Sequence, residues 1–415
     1  MARWYYGWNV IGTAMAFQAV SFGLTIYTYG LWVSPLSEEF GASRAEIMIG
    51  FTLLSVAMGL MSPFAGRAMD KQSIRTLVMI GTVIMAAGFL LASFAQSVWM
   101  FIGIYATFVA TGMLLAGPLP ASTLAAKWFN GRRGLAIGLS SVGTSIGGLA
   151  LPLLSAALLV DMGLSWREAH QVLAALVVIL LLPPVWLFVA NRPEDKGVEP
   201  DPQPVTLSGK AQVHTGISYG EILRDRSFWA TAMAFGTLTM VFGGAQANLI
   251  PYAQDHGMTT SSAASLMSLL AAAGILGKII YGALADRISH RVLFWSAALV
   301  LVFPLLLMMG DPSYLEMVAI SMLLGFATGG FLPLLGAIIG RRFGPIAFGQ
   351  VMGLLGPFTM PLSVIGPPLA GYIHDVTGSY VLAFEIFIGV IVLASVAVAF
   401  LDERPRTATV PAAAE

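Results

Sequence analysis

The stretch SSAASLMSLLAAAGILGKIIYGALADRISHR, from Ser261 to Arg291, decides the fold. Its apolar part runs from about Ser262 to Ala285, then gives way to a charged turn with Asp286, Arg287 and Arg291. At about 1.5 Å of rise per residue, such a helix crosses a hydrocarbon core of ~30 Å. One cation, Lys278, interrupts it. A lysine in the middle of a membrane helix costs roughly 2.5–3.5 kcal/mol on insertion scales, so it usually faces a cavity or a partner and marks a substrate or ion pathway. The competing reading is snorkelling. Lys278 precedes Asp286 by about 12 Å along a helix axis, and its stem can cover part of that distance toward the interface.

The rest of the chain repeats this character. It has 415 residues, 57% of them hydrophobic and only 10% charged, with a mean hydropathy of +0.82. Soluble domains carry about 25% charged residues. Repeated long apolar runs indicate an all-α membrane protein, whereas barrel strands would be shorter and alternating. A net charge of zero gives no reason to expect a nucleic-acid partner. The absence of cysteine excludes disulfide and thiol chemistry. No metal-ligand cluster, nucleophile–base pair or phosphate loop is legible, so no enzyme activity and no cofactor are expected. The first apolar run is too long for a cleavable signal and should stay in the membrane.

Twelve spans are expected, at about 8–33, 44–65, 76–95, 98–126, 133–157, 168–190, 227–252, 262–285, 292–310, 314–340, 346–373 and 379–401. Between the sixth and seventh lies the one long polar segment, with Pro193, Pro200, Pro202 and Pro204 among scattered charges. It reads as a linker. The domain reading is an N-terminal six-helix bundle at 1–192, a linker at 193–224, a C-terminal bundle at 225–402 and a disordered tail at 403–415. An even number of spans puts both ends on one side. Only Arg44 and Arg167 fall in loops of the other side and Lys278 in a span; the remaining Lys and Arg lie on the side of the termini. The positive-inside rule then makes both termini cytoplasmic, in a multi-pass plasma (inner) membrane protein.

The stretch also has a copy. Gly282-Ala283-Leu284-Ala285-Asp286-Arg287, with Arg291, repeats Gly66-Arg67-Ala68-Met69-Asp70-Lys71, with Arg75, at an offset of 216 residues. Gly134-Leu135-Ala136-Ile137-Gly138-Leu139 recurs as Gly349-Gln350-Val351-Met352-Gly353-Leu354 at an offset of 215. Two matches at nearly one offset, on either side of a linker, indicate two pseudo-symmetric halves. Parallel repeats of this kind are a transporter signature, with the substrate site near the midplane between them.

These loop motifs, Gly-x-x-x-Asp-Arg/Lys followed by a basic residue, resemble those of the major facilitator superfamily, and the likeness covers nearly the whole chain. Within it, the segment from Lys127 to Gly138 resembles the entry to the fifth helix in monocarboxylate transporters and oxalate/formate antiporters, and Arg192-Pro193-Glu194-Asp195 is similar to bacterial members. That resemblance implies a substrate-binding cation four residues before the motif glycine, which is Lys278 before Gly282. An arginine is usual there, so the charge is kept but the bidentate fork is lost. Animal members also carry an Asp one turn earlier, where this chain has Gly274, and a Lys near the outer end of the first helix, absent near Tyr29 and Gly30. The animal style of proton relay is therefore in doubt. The resemblance also implies a gate at the basic side, formed by Gly66, Asp70, Arg75, Gly282, Asp286, Arg287, Arg291, Arg132 and Arg133.

Other candidates rest on their positions. Asp70 and Asp286 are placed to cap a neighbouring helix N-terminus or to pair with loop arginines. Asn248, Gln246 and Tyr27 are polar residues inside spans and line the expected site, with interhelical hydrogen bonds as the alternative. Phe331 and Phe358 are its expected apolar wall, with ordinary packing as the alternative. Glycines with Ser141 and Thr144 in the fifth span point to close helix packing, and either hydroxyl could also line the cavity. Breaks or bends are expected at Pro118, Pro120, Pro333, Pro357, Pro361 and Pro367-Pro368. Glu385, inside the last span, suits an interface or headgroup role better than proton coupling. His256 and His374 sit near outer ends and are not expected to relay protons.

The expected function is secondary active transport of a small organic anion, a monocarboxylate, by proton-coupled symport through alternating access. Carboxylate/carboxylate antiport and export of drug-like or neutral solutes are the alternatives. The expected partners are the anion, the proton and the lipid bilayer, and the chain is expected to act as a monomer.

Overall fold

The computed structural model describes residues 4–199, 217–258 and 260–401. Twelve helices among them are long and apolar enough to cross a membrane. They are α1 Gly7–Trp32, α2 Arg44–Lys71, α3 Ile74–Ala92, α4 Val98–Trp128, α5 Arg133–Val160 and α6 Trp166–Phe188. The second half supplies α7 Arg226–Asp255, α8 Thr260–Ala285, α9 His290–Leu307, α10 Tyr314–Phe343, α11 Phe348–Thr377 and α12 Val381–Ala399. Most of the expected linker and all of the expected tail lie outside the described residues, as do Arg404 and Arg406. The described flanks of the linker form short helical turns at Pro193–Lys196 and Tyr219–Leu223.

Local chemistry sets where several helices begin. Ser43, Ser165 and Ser313 each accept from the backbone N–H three residues on, and Glu46, Glu168 and Glu316 reach back to the serine N–H. These reciprocal caps satisfy donors that the first turn leaves open. The three helices so capped all start at the end opposite the charged loops.

Helix breaks match the expectation in α4 and α10 but not in α11. α11 stays one helix through Pro357, Pro361, Pro367 and Pro368. Pro357 removes the donor for the Gly353 carbonyl, and the Ser62 hydroxyl of α2 lies 2.6 Å from that oxygen. A neighbour's hydroxyl thus replaces the missing helical bond. The same hydroxyl lies 2.8 Å from Gly59 O, the carbonyl freed by Pro63. The breaks in α4 and α10 fall beside expected prolines, at Ala116–Gly117 just before Pro118 and at Gly330 just before Pro333, and a wide turn at Gly23–Tyr27 in α1 is unexpected.

The two halves meet at the end that carries Lys71, Arg133 and Arg342, called here the basic end. One buried apolar cluster fills the first half and continues into Ile339, Phe343, Phe348 and Val351 of the second. The second cluster holds the remainder of the second half. Glycines make the crossing possible. A Cβ at Gly66 would stand 2.0 Å from Gly349 O, and one at Gly138 would stand 2.3 Å from Lys278 O. The α2–α11 and α5–α8 backbones therefore touch, as small-residue interfaces allow.

Candidate functional site

Lys278 lies on α8 where that helix faces α5. Its Nζ donates to Thr144 Oγ1 and to Ser145 Oγ, each at 2.7 Å. Both acceptors belong to the other half, so the ammonium bridges the interface instead of pointing to acyl chains or to the basic-end loops. Thr144 donates its own hydrogen to Ser141 O at 2.9 Å, which leaves its lone pairs to the lysine. Ser145 is 6% exposed and Lys278 half-buried. Among the described residues, no carboxylate pairs with Lys278. Its contacts are neutral hydroxyls, with a third N–H left over, since an ammonium carries three donors. A charge held this way is costly unless an anion joins it.

The loop aspartates form a second, symmetric arrangement. Asp286 at the end of α8 accepts from Gly134 N at 2.7 Å and from Leu135 N at 3.0 Å, the first turn of α5. Asp70 at the end of α2 accepts from Gly349 N at 2.9 Å and from Gln350 N at 2.6 Å, the first turn of α11. Each carboxylate caps a helix of the opposite half, where open N–H groups and the helix dipole favour negative charge. Lys127 reaches from α4 to Met69 O at 2.8 Å beside Asp70.

The other loop residues divide. Gly282 packs on Gly134 at the α5–α8 crossing, as Gly66 packs on Gly349. Arg133 is buried, bonds Phe129 O and Asn130, and its guanidinium fills the space above Gly340 of α10. Arg132 and Arg287 are exposed. Arg291 donates to Leu401 O at the end of α12. Arg75 lies over the Trp186 ring, 5.7 Å from its centre.

The remaining candidates make contacts of their own, and Tyr27 meets α5 one turn beyond Thr144. Asn248 donates to Gly244 O at 2.8 Å and to Pro367 O at 3.3 Å, tying α7 to α11 within the second half. Gln246 is half-buried on α7. Tyr27 is 41% exposed at the outer part of α1, with its ring against Gly148 and Phe22. Phe331 is buried in the second-half cluster. Phe358 stacks edge-on to Trp229 and Phe228 near the start of α7. Glu385 is exposed on α12. Gly274 packs against Gly325 of α10, where a Cβ would stand 3.4 Å from the Gly325 carbonyl oxygen.

Two contributors were not singled out from the sequence. Ser145 shares the lysine, and its signal was spacing: Ser141, Thr144 and Ser145 fall on one face of α5. Ser62 adds a hydrogen bond to the α2–α11 contact. Nothing in its own neighbourhood showed which carbonyl it would meet.

The Major Facilitator Superfamily model matches residues 15–291 and 247–415. The chain belongs to that superfamily. This transporter is 26% identical to monocarboxylate transporter 13 of Bos taurus over 391 residues, covering 92% of the chain and 86% of the relative. It is 26% identical to the oxalate:formate antiporter of Oxalobacter formigenes over 328 residues, covering 77% of the chain and 73% of the relative. Its fold matches the crystal structure of the transporter FucP in the outward conformation with a TM-score of 0.70 at 15% identity, covering 95% of the chain and 99% of that structure.

Proposed function

We propose that this transporter moves a small monocarboxylate by alternating access and that Lys278 is the anchor for the carboxylate. The observation that carries the reading is the Lys278 ammonium. It is held across the interface by Thr144 and Ser145 and lacks a carboxylate partner among the described residues. An incoming carboxylate replaces solvent around a charge in a low-dielectric crevice, where the Coulomb term is larger than in water. The kinship with a monocarboxylate transporter and an oxalate:formate antiporter supports the same substrate class.

The described state is closed at the basic end. With both termini and the basic loops in the cytoplasm, as the positive-inside rule has it, this is the outward-facing state of a plasma-membrane carrier. Asp70 and Asp286 then act as the latches of the cytoplasmic gate, since their bonds to α11 and α5 cross between the halves. Gly66 and Gly282 let the helices cross beside those latches, Arg132, Arg133 and Arg287 lie at the same end, and Arg75 and Arg291 lie against Trp186 and the Leu401 carbonyl. Anion binding and retention of the proton on Lys278 support one another, which makes the coupled species electroneutral and the mode proton symport. The carrier works as a monomer, with one site between its own halves.

The test is uptake of labelled lactate, pyruvate and related acids into proteoliposomes, with and without an inward proton gradient. Symport requires faster uptake with the gradient and none with Lys278→Gln. Exchange is the second reading. It is favoured by the lack of an acid beside Lys278 to carry a proton, and it requires uptake that depends on internal unlabelled carboxylate. Normal uptake by Lys278→Gln would remove the lysine from both.

A further inference from the structure

The repeat places Arg75 and Arg291 at equivalent positions after their loop motifs, yet they end differently. Arg291 donates to the Leu401 carbonyl, two residues past α12. Arg75 makes no side-chain hydrogen bond or ion pair among the described residues; it lies half-buried over Trp186. Beside it a groove of about 640 Å³ opens between α3 and α6. Its upper rim holds Ser73, Arg75, Thr76 and Asn191, at the start of α3 and just past the end of α6. Its walls below are apolar: Ile80, Val83, Ile84 and Leu182. Ile80, Val83 and Trp186 are exposed on the outside of the bundle, away from the contact between the halves.

We propose that this groove binds one anionic glycerophospholipid from the leaflet at the basic end, with the phosphate on Arg75 and an acyl chain along α3. The placement fits each part of such a molecule. A guanidinium with free N–H donors matches phosphate oxygens in a bidentate way. Trp186 lies in the last turn of α6, the end of a span where tryptophan is enriched, and packs the cation from one side. Arg75 and Val83 are eight residues apart, so the apolar wall descends about 12 Å from the headgroup. Asn191 already accepts from Arg75 N at 3.0 Å and shares hydrogen bonds with Ser73. The N-terminus of α3 is therefore capped by protein, and the charge on offer is the Arg75 side chain. The lipid ties α3 to α6 next to the Asp70 loop. The site stands apart from Lys278 and does not depend on which solute is carried.

The experiment is native mass spectrometry and thermal unfolding of the full-length protein in detergent, titrated with phosphatidylglycerol, phosphatidylcholine or inorganic phosphate. Wild-type protein should bind phosphatidylglycerol saturably and unfold at higher temperature with it, with phosphatidylcholine about tenfold weaker and inorganic phosphate without effect. Arg75→Gln should erase the difference between the two lipids, while Lys71→Gln, which removes an equal charge from the same loop, keeps it. Val83→Trp, which fills the acyl wall and leaves the arginine in place, should weaken both lipids and serves if Arg75→Gln does not fold. Equal binding of the two lipids by wild type, or an anionic preference that survives Arg75→Gln, would overturn the proposal. Stabilisation by inorganic phosphate alone would also overturn it, because the chain would then contribute nothing.

Discussion

Replacing Asp70 with Asn keeps the shape of the latch and changes only its chemistry. The carboxylate accepts two backbone N–H groups from the first turn of α11, at 2.9 and 2.6 Å. The amide accepts one of them through its oxygen and presents a donor to the other, so one N–H is left facing NH₂. A hydrogen bond to a charged group contributes about 1.5–3 kcal/mol, and the charge–dipole term at a helix N-terminus adds about 0.3–1 kcal/mol. The expected loss is about 2–3 kcal/mol, and it falls only on the state in which the halves touch. The population open at the basic end should therefore rise roughly 30- to 150-fold. The chain contains no cysteine, so a single introduced thiol reports without background. Val351→Cys suits the task. The site is 1% exposed, on α11, and packs in the cluster shared with the first half. Labelling by a membrane-impermeant maleimide from the basic side should accelerate by that factor when Asp70→Asn is added. A labelling rate within about twofold of the single-cysteine parent would refute the latch.

The same reporter tests the glycine crossings. Gly138→Ala puts a methyl 2.3 Å from the Lys278 carbonyl, a backbone atom that cannot swing aside, so labelling should rise and transport fall. Gly12→Ala, where a Cβ meets nothing within 4 Å, should change neither. At the far end, the Glu39 carboxylate accepts from Arg167 at 2.5 Å, and that bond holds its pKa below the ordinary carboxylate value. The sign follows from the lowered value: the stabilisation is present above the unfolded pKa and disappears as pH falls through the folded one. Because Glu39 is 40% exposed on its side chain, screening limits the effect to about 1 kcal/mol or less. Glu39→Gln should lower the melting temperature slightly at pH 7 and match wild type in acid.

Much of the architecture was legible because membrane helices announce themselves one at a time. Apolar length located twelve spans, and the repeated Gly-x-x-x-Asp motif related the halves without any knowledge of packing. The aspartate caps were foreseeable in kind, since an acid closing one helix beside the glycine-led start of another has few uses. Which helix faces which was not legible. Lys278 and its partners Thr144 and Ser145 are more than 130 residues apart, and the helical period identifies a face without naming what opposes it. The same gap hid the pairing of Asp225 with Arg342 at 3.0 Å, which ties the start of α7 to the end of α10. It also made Pro357 in α11 look like a break, because the relief there comes from Ser62 on a distant span. Nor could spacing name the contacts that Phe358 makes with Trp229 of α7 and that Asn248 makes with Pro367 of α11.

Equilibrium binding of a panel of labelled monocarboxylates to purified wild type and Lys278→Gln, at one fixed pH and ionic strength, bears most directly on the role of the lysine. If the ammonium between Thr144 and Ser145 is the seat of the carboxylate, the acids that bind wild type saturably should lose about 10- to 150-fold in affinity in the variant, the worth of one charge-assisted hydrogen bond. Unchanged dissociation constants in a folded Lys278→Gln protein would contradict that role and move the recognition site elsewhere.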